Sequence, residues 1–489
     1  MNKVVKNLTK DSIVYGAGSV LQRGLSFLLL PLFTNYLDTS EYGIVVLTIA
    51  ISNLLAIFFG MTSKGVIIKK YYDYKNDFQK LKTFISSTFI FTFLFGLIFS
   101  IILSTIVGEK IFYSITPNVN FSEYIIPVIW YSYFLTIIQL YQELLRAEQK
   151  SKLFVFTQLF TFFISTLLII YLIIYKKLGV SGQILGSFYA YSIIYFFIML
   201  SVIKKYGLIL SKKHIFSGIS FSLPIVIHLV AGWAISKIDR ILLSRQMGVS
   251  EVGIYDLGYK IGMSVYLITS AINFAWAPIF YEEANKKHND KSIFSKIFNI
   301  YLILIGIIVL IISAFSIEII KFISSDQYVG ANKIVLVIAM SYFIQGIYFM
   351  LVTPLFYKEK THKLAIISVF SSIINVILNF LLIGKIGLLG SGISLLISQL
   401  FLVVFVHLAS QKIYKINYEY RKILLFIVLL LIGLFITTKY TNSNNILQTL
   451  IKLIVISIIF LSSFYLKLIK KTDVKEIVLI FFKRKKPHV

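Results

Sequence analysis

The residues able to do chemistry in this chain are few, and most of them stand inside long apolar runs. The stretch AGWAISKIDRILLSRQMG puts Lys237, Asp239 and Arg240 within one helical turn, and the next apolar run adds Asp256 and Lys260. Near the N-terminus Arg23 stands mid-run in VLQRGLSF, beside Gln22 and ahead of Pro31. An ionisable group at membrane depth costs at least about 2.5–3.5 kcal/mol on insertion scales, so each should face a cavity, a partner or an interface. Asp256 and Lys260 are four apart, the spacing that pairs along one helix face. Asp239 is expected to pair with a basic neighbour, which leaves at least one cation for other work. Arg23 either looks into a wet lumen or lies against a helix carbonyl or a carboxylate. Cations so placed can hold an anionic group, and Asp239 and Asp256 are the deep carboxylates that could exchange a proton or a sodium ion. His228 and His407 are read as core histidines rather than proton carriers, and Lys333 and Lys452 as snorkelling side chains. Cysteine is absent and the six histidines are scattered, which excludes a disulfide scaffold, a thiolate metal site and a cysteine nucleophile. No catalytic or metal-ligating constellation emerges, and no cofactor is implied.

A membrane bundle must position these groups. Of the 489 residues 58% are hydrophobic and only 14% charged, where a globular chain would be about a quarter charged; the mean hydropathy is +0.85. A helix needs roughly 20 residues to cross about 30 Å of hydrocarbon. The apolar blocks predict an all-α protein of about fourteen spans, at 12–36, 43–63, 83–107, 124–145, 153–174, 182–203, 216–244, 252–278, 293–314, 331–357, 364–383, 388–409, 423–438 and 446–466. The first run follows a basic segment and has no small-x-small cleavage site, so it reads as a retained span rather than a signal peptide. With the N-terminus inside, alternate loops hold about 34 of the 48 Lys and Arg residues and the others about 7. That bias places both termini in the cytoplasm. The net charge of +27 is thus topology rather than a nucleic-acid footprint. The loops are too short for a separate domain, so the chemistry is expected inside the bundle.

The chain also repeats itself at an offset of about 210 residues. LDTSEYGI at 37–44 matches MGVSEVGI at 247–254, LGVSG at 178–182 pairs with LLGSG at 388–392, and EQKSKL at 148–153 falls beside EKTHKL at 359–364, one residue out of register. Six spans separate the copies, so they keep one orientation and should be related by an axis along the membrane normal. The expected organisation is an N-lobe of spans one to six (1–210), a C-lobe of spans seven to twelve (211–420), and two further spans with a basic tail (421–489), around a central cavity suited to alternating access. Pro31, Pro224, Pro278 and Pro354 are candidate hinges.

The segments SIVYGAGSVLQRGLSFLLLPLFTNYLDTSEYGIV (12–45) and DRILLSRQMGVSEVGIYDLGYKIG (239–262), with the span count and the repeat, resemble bacterial polysaccharide repeat-unit flippases. These are the O-antigen and capsule exporters of the multidrug/oligosaccharidyl-lipid/polysaccharide superfamily. The resemblance implies a transporter, not an enzyme, in the bacterial cytoplasmic (inner) membrane. Its substrate would be an undecaprenyl-diphosphate-linked oligosaccharide carried from the cytoplasmic to the periplasmic leaflet, with membrane lipids, a polysaccharide polymerase and a chain-length regulator as partners. It also implies a cationic cavity for the diphosphate, and Arg23 and Arg240 match that requirement, with Lys237 and Lys260 behind them and Asp239 and Asp256 as coupling candidates. The rival readings are a cation-coupled multidrug exporter of the same superfamily, against which an excess of lumen cations argues, and a membrane polymerase or ligase. The latter should carry a long outer loop with acid–base residues, and the outer loops here are short and poor in them.

Overall fold

A computed structural model describes residues 16, 18, 21–22, 24–61, 65–286, 291–439, 446–466 and 468. Thirteen helices among them are long and apolar enough to cross a membrane, and no strand occurs. They match the second to fourteenth expected spans one for one. The expected first span lies partly outside the described residues and is represented by the shorter apolar helix α1, Gly24–Tyr36. The fold is therefore that of an all-α integral membrane protein.

The chain divides into two compact units, Met1–Gly253 and Ile254–Val489. The first contains α2 (Thr39–Phe59), α3 (Val66–Tyr74), α4 (Phe78–Leu103), α5 (Ile106–Ile115), α6 (Phe121–Ala147), α7 (Ser151–Tyr175), α8 (Gly179–Tyr206) and α9 (Lys212–Met247). α10 (Val249–Ala284) starts there and runs on into the second unit. The second continues with α11 (Ser292–Ala314), α12 (Ser316–Ile323), α13 (Asp326–Tyr357), α14 (His362–Ile386), α15 (Leu388–Ile413), α16 (Tyr420–Lys439) and α17 (Ile446–Tyr465). The short helices α3, α5 and α12 fold segments that composition alone marks as connections.

Local rules explain where these helices start and stop. At α2 the Asp38 carboxylate accepts the Glu41 N–H at 2.8 Å while Glu41 accepts the Asp38 N–H at 3.0 Å, a reciprocal cap that satisfies two otherwise orphaned donors. Gly207, Gly248 and Gly387 end α8, α9 and α14 with φ of +71°, +98° and +62°, a region that a Cβ disfavours. In the first unit α6 packs against α2 and α8, and α9 lies on α2 and α4. Tyr133 is at the centre of that core, its ring 5.9 Å from Phe59 and its hydroxyl 2.8 Å from that of Tyr195.

Backbone geometry carries the repeat further than the sequence does. Gln149 and Glu359, 210 positions apart, both adopt positive φ, +57° and +55°, as do Lys177 and Gly387. The Lys150 N–H reaches back to the Leu145 carbonyl at 2.9 Å, and Lys360 does the same to Leu355 at 2.9 Å. Even the short helices α5 and α12 recur at this interval. The third sequence window is thereby corrected: its register is 210 like the others, not one residue longer, because the turn geometry pairs Gln149, not Glu148, with Glu359.

The additional pair α16 and α17 packs on α11. Lys452 in α17 is 1% exposed and pairs with Glu318 of α12, its ammonium also 5.1 Å from the Phe315 ring centre. The snorkelling expected for Lys452 is replaced by an ion pair in which the lysine is buried and Glu318 stays partly exposed, since a carboxylate on the unforeseen helix α12 lies within reach.

Two glycines let helices meet at backbone distance inside the first unit. A Cβ on Gly43 of α2 would stand 2.0 Å from the Val249 carbonyl oxygen, and one on Gly253 of α10 would stand 2.1 Å from that of Thr39. Beside them the Thr39 and Ser250 hydroxyls share a 2.6 Å hydrogen bond. Gly43 and Gly253 occupy the same place in the repeated motif, as do Thr39 and Val249, so the contact is reciprocal.

Candidate functional site

The expected site residues fall into three situations. Arg23 lies outside the described residues. Asp239 and Arg240 face inward from α9: the guanidinium, 1% exposed, places Nη1 2.7 Å and 2.9 Å from the two carboxylate oxygens of Asp239, and 3.3 Å from the Ser236 carbonyl. Adjacent residues on a helix do not face each other; the pair closes because the arginine stem is long enough to fold back. This is the pairing foreseen for Asp239, and it covers Arg240. Lys237, one turn away, is half-buried.

Asp256 and Lys260 occupy α10 in the second unit and form the expected ion pair at 3.0 Å. The carboxylate is buried at 6% side-chain exposure, while the lysine remains 33% exposed. Among the described cations of the set, Lys237 and Lys260 are thus the two that reach a surface. Among the described residues no three His, Asp or Glu side chains gather as metal ligands.

α9 carries three of the expected site residues, Lys237, Asp239 and Arg240. At 36 residues it is about 54 Å long at 1.5 Å per residue, well beyond the hydrocarbon thickness. Trp233 fixes its middle, donating its indole N–H to the Ala50 carbonyl of α2 at 2.8 Å. Pro224 within the helix deprives the Ser220 carbonyl of its usual donor. His228, read from the sequence as a core residue, is exposed, as is Asn53 near the middle of α2. His228 was weighed from the sequence and set aside as a core residue, and Asn53 was not singled out, although a polar residue in mid-span was a visible signal. His407 differs from His228: its Nε2 lies 3.1 Å from the Tyr420 hydroxyl, at one edge of an apolar cavity of about 320 Å³ in the second unit.

At the lysine-rich ends of α6 and α8, Glu148 gathers Lys150 at 2.6 Å, Lys205 at 2.5 Å and the Tyr206 hydroxyl at 2.6 Å. Burial raises the Glu148 carboxyl, but the hydrogen bonds from Lys150, Lys205 and Tyr206 outweigh that effect and hold it below the usual carboxylate range. The stability this clasp contributes is fully present above the ordinary value of 4.5 and is lost as pH falls through the depressed folded-state value. Acidification should therefore lower the melting temperature of the wild-type protein more than that of Glu148→Gln. Parallel pH profiles for the two proteins would remove the clasp from the account of acid stability.

Comparison with known proteins joins this geometry to a family. The model of the polysaccharide biosynthesis protein family matches residues 8–284, and the MatE model matches 224–381. The chain is 23% identical over 373 residues to Lsg locus putative protein 1 of Haemophilus influenzae, a match covering 75% of this chain and 89% of that protein. Its fold is similar to that of the lipid II flippase MurJ in an inward closed conformation, with a TM-score of 0.69, 17% identity, and coverage of 94% and 100% of the two chains. It is also similar to an inward-facing multidrug resistance MATE family transporter, with a TM-score of 0.61, 12% identity, and coverage of 84% and 98%. This chain is accordingly a multi-pass membrane protein with a fold like that of those two transporters, and it belongs to the polysaccharide biosynthesis protein family.

Proposed function

We propose that the protein translocates undecaprenyl-diphosphate-linked oligosaccharide repeat units from the cytoplasmic to the periplasmic leaflet by alternating access, for O-antigen or capsule synthesis. The observation that carries this reading is the family match over 8–284, a range that contains every cation assigned to the substrate. A diphosphate with several sugars cannot cross hydrocarbon unaided, because each unsatisfied polar group costs several kcal/mol. Lys237 and Lys260, partly exposed, meet the diphosphate most directly. Arg23 contributes from the first span, and Arg240 joins when phosphate oxygens compete for it with Asp239. Asp239 and Asp256, relieved of their cations in that exchange, are then able to take up a proton or sodium ion. A membrane potential negative inside adds about 2.3 kcal/mol per charge per 100 mV in the outward direction. The lysine-rich loops support an inner-membrane placement with both termini cytoplasmic. The repeat supports lobes of 1–210 and 211–420 with an additional pair of spans in 421–489. A polysaccharide polymerase and a chain-length regulator are the partners this role implies.

The test is restoration of outer-leaflet glycan in cells lacking their own flippase, with wild-type protein and the variants Arg23→Ala, Lys237→Ala, Arg240→Ala and Lys260→Ala at matched membrane abundance. Restoration by the wild type and at least a tenfold loss in the lysine variants is the expected result. A correctly inserted wild type that restores no glycan type overturns the proposal. The MatE match over 224–381 favours one second reading, cation-coupled drug export. It requires resistance to cationic drugs in the same cells, and the surplus of cations over carboxylates at membrane depth argues against it.

A further inference from the structure

Helix α9 exposes a broad arc that divides into two chemically different sides. Counting about 100° per residue, Phe216, Leu223 and Ile227 form one side, 68%, 47% and 66% exposed, as suits contact with acyl chains. The other side carries Ser217, Pro224, His228, Ala231, Gly232 and Ser236, all exposed and all polar or small. Residues 227 and 228 are neighbours in depth near the middle of the helix, so the difference is not one of height in the membrane. An imidazole facing hydrocarbon at that depth would cost free energy with nothing gained, and polar groups in spans turn to water-filled space. The Ser220 carbonyl, without its usual donor because of Pro224, adds an acceptor next to this edge. Trp233, bonded to Ala50, keeps α9 from rotating that edge into lipid.

We propose that this edge of α9 is a wall of the wet translocation path and that His228 is a contact for the hydroxyl-rich sugars of the substrate, selecting for an oligosaccharide head group. The sugar contact rests on the flippase reading above; the wet edge does not.

The chain has no cysteine, so single-cysteine variants start from a silent background. His228→Cys, Ala231→Cys and Gly232→Cys are to be treated in intact membranes with a membrane-impermeant thiosulfonate, which reacts with the thiolate that forms only in water. Ile227→Cys is the control at the depth of His228, and Leu223→Cys is a second control about one turn further along the same apolar side. Labelling at least tenfold faster at 228, 231 and 232 than at 223 and 227 is expected. Equal rates, or faster labelling at 223 and 227, would overturn the wet edge. For the sugar contact, His228→Leu should lower glycan output at least tenfold at unchanged membrane abundance, with His228→Gln, which keeps hydrogen bonding, recovering a substantial part of it. Full output from His228→Leu overturns the contact. A wild type that restores no glycan overturns the flippase reading and the contact with it, and the labelling still decides the edge.

Discussion

Gly43→Val is expected to remove most of the folded protein from the membrane, and Gly253→Val to do the same. Each places methyl groups where a carbonyl oxygen already stands, 2.0 Å and 2.1 Å from the new Cβ. Overpacking a core costs typically about 1–3 kcal/mol. Here the obstacle is helix backbone rather than a side chain able to change rotamer, so the cost belongs at the upper end or above. For a unit of this size about 3 kcal/mol corresponds to a fall of roughly 6–12 °C in melting temperature. Ser40→Val is the control, since Ser40 is exposed on the same turn and should melt near the wild type. The two glycine sites are close enough to couple, so their effects should not add. A Gly43→Val protein that accumulates and melts like the wild type would show that α2 and α10 can separate at this point without loss.

The second large effect is expected at the Asp239 and Arg240 pair. Removing one member of a buried ion pair costs about 3–5 kcal/mol, because the remaining charge keeps its desolvation cost and loses its partner, whereas replacing both with apolar groups of similar size is often neutral. Arg240→Met alone and Asp239→Leu alone should therefore each melt well below the wild type, and the double variant should recover most of the loss. A double variant whose loss equals the sum of the two single losses would mean that the 2.7 Å contact contributes little. The same double variant separates packing from transport: if Arg240 receives phosphate, the recovered fold will still fail to restore glycan.

Span existence was legible because a run of roughly twenty apolar residues has one low-energy arrangement in a bilayer, with every backbone group bonded within its own helix. The Asp256 and Lys260 pair was legible for a similar reason, since four residues along a helix leave no doubt about proximity. The repeat could be seen in LDTSEYGI and MGVSEVGI, whose glycines are held in place by backbone contacts that admit no side chain.

What the tertiary structure alone decided concerns direction. Whether His228 faces a core or an open surface depends on how α9 is rotated, and that rotation is fixed by Trp233 reaching Ala50 across 183 residues of sequence. Lys452 could not be placed from its span, because its partner Glu318 stands on a short helix that composition shows only as a connection. The one-residue register error at EQKSKL arose because side-chain identity was matched where turn geometry, carried by the positive φ of Gln149 and Glu359, sets the equivalence. Hydrophobic periodicity in a membrane span reports length and depth; it carries little information on facing, since lipid and protein core reward the same apolar side chains. The sequence by itself therefore determined the class, the thirteen spans that the described residues show and the charges at depth, and only three-dimensional packing decided which of the described charges are covered and which reach a surface.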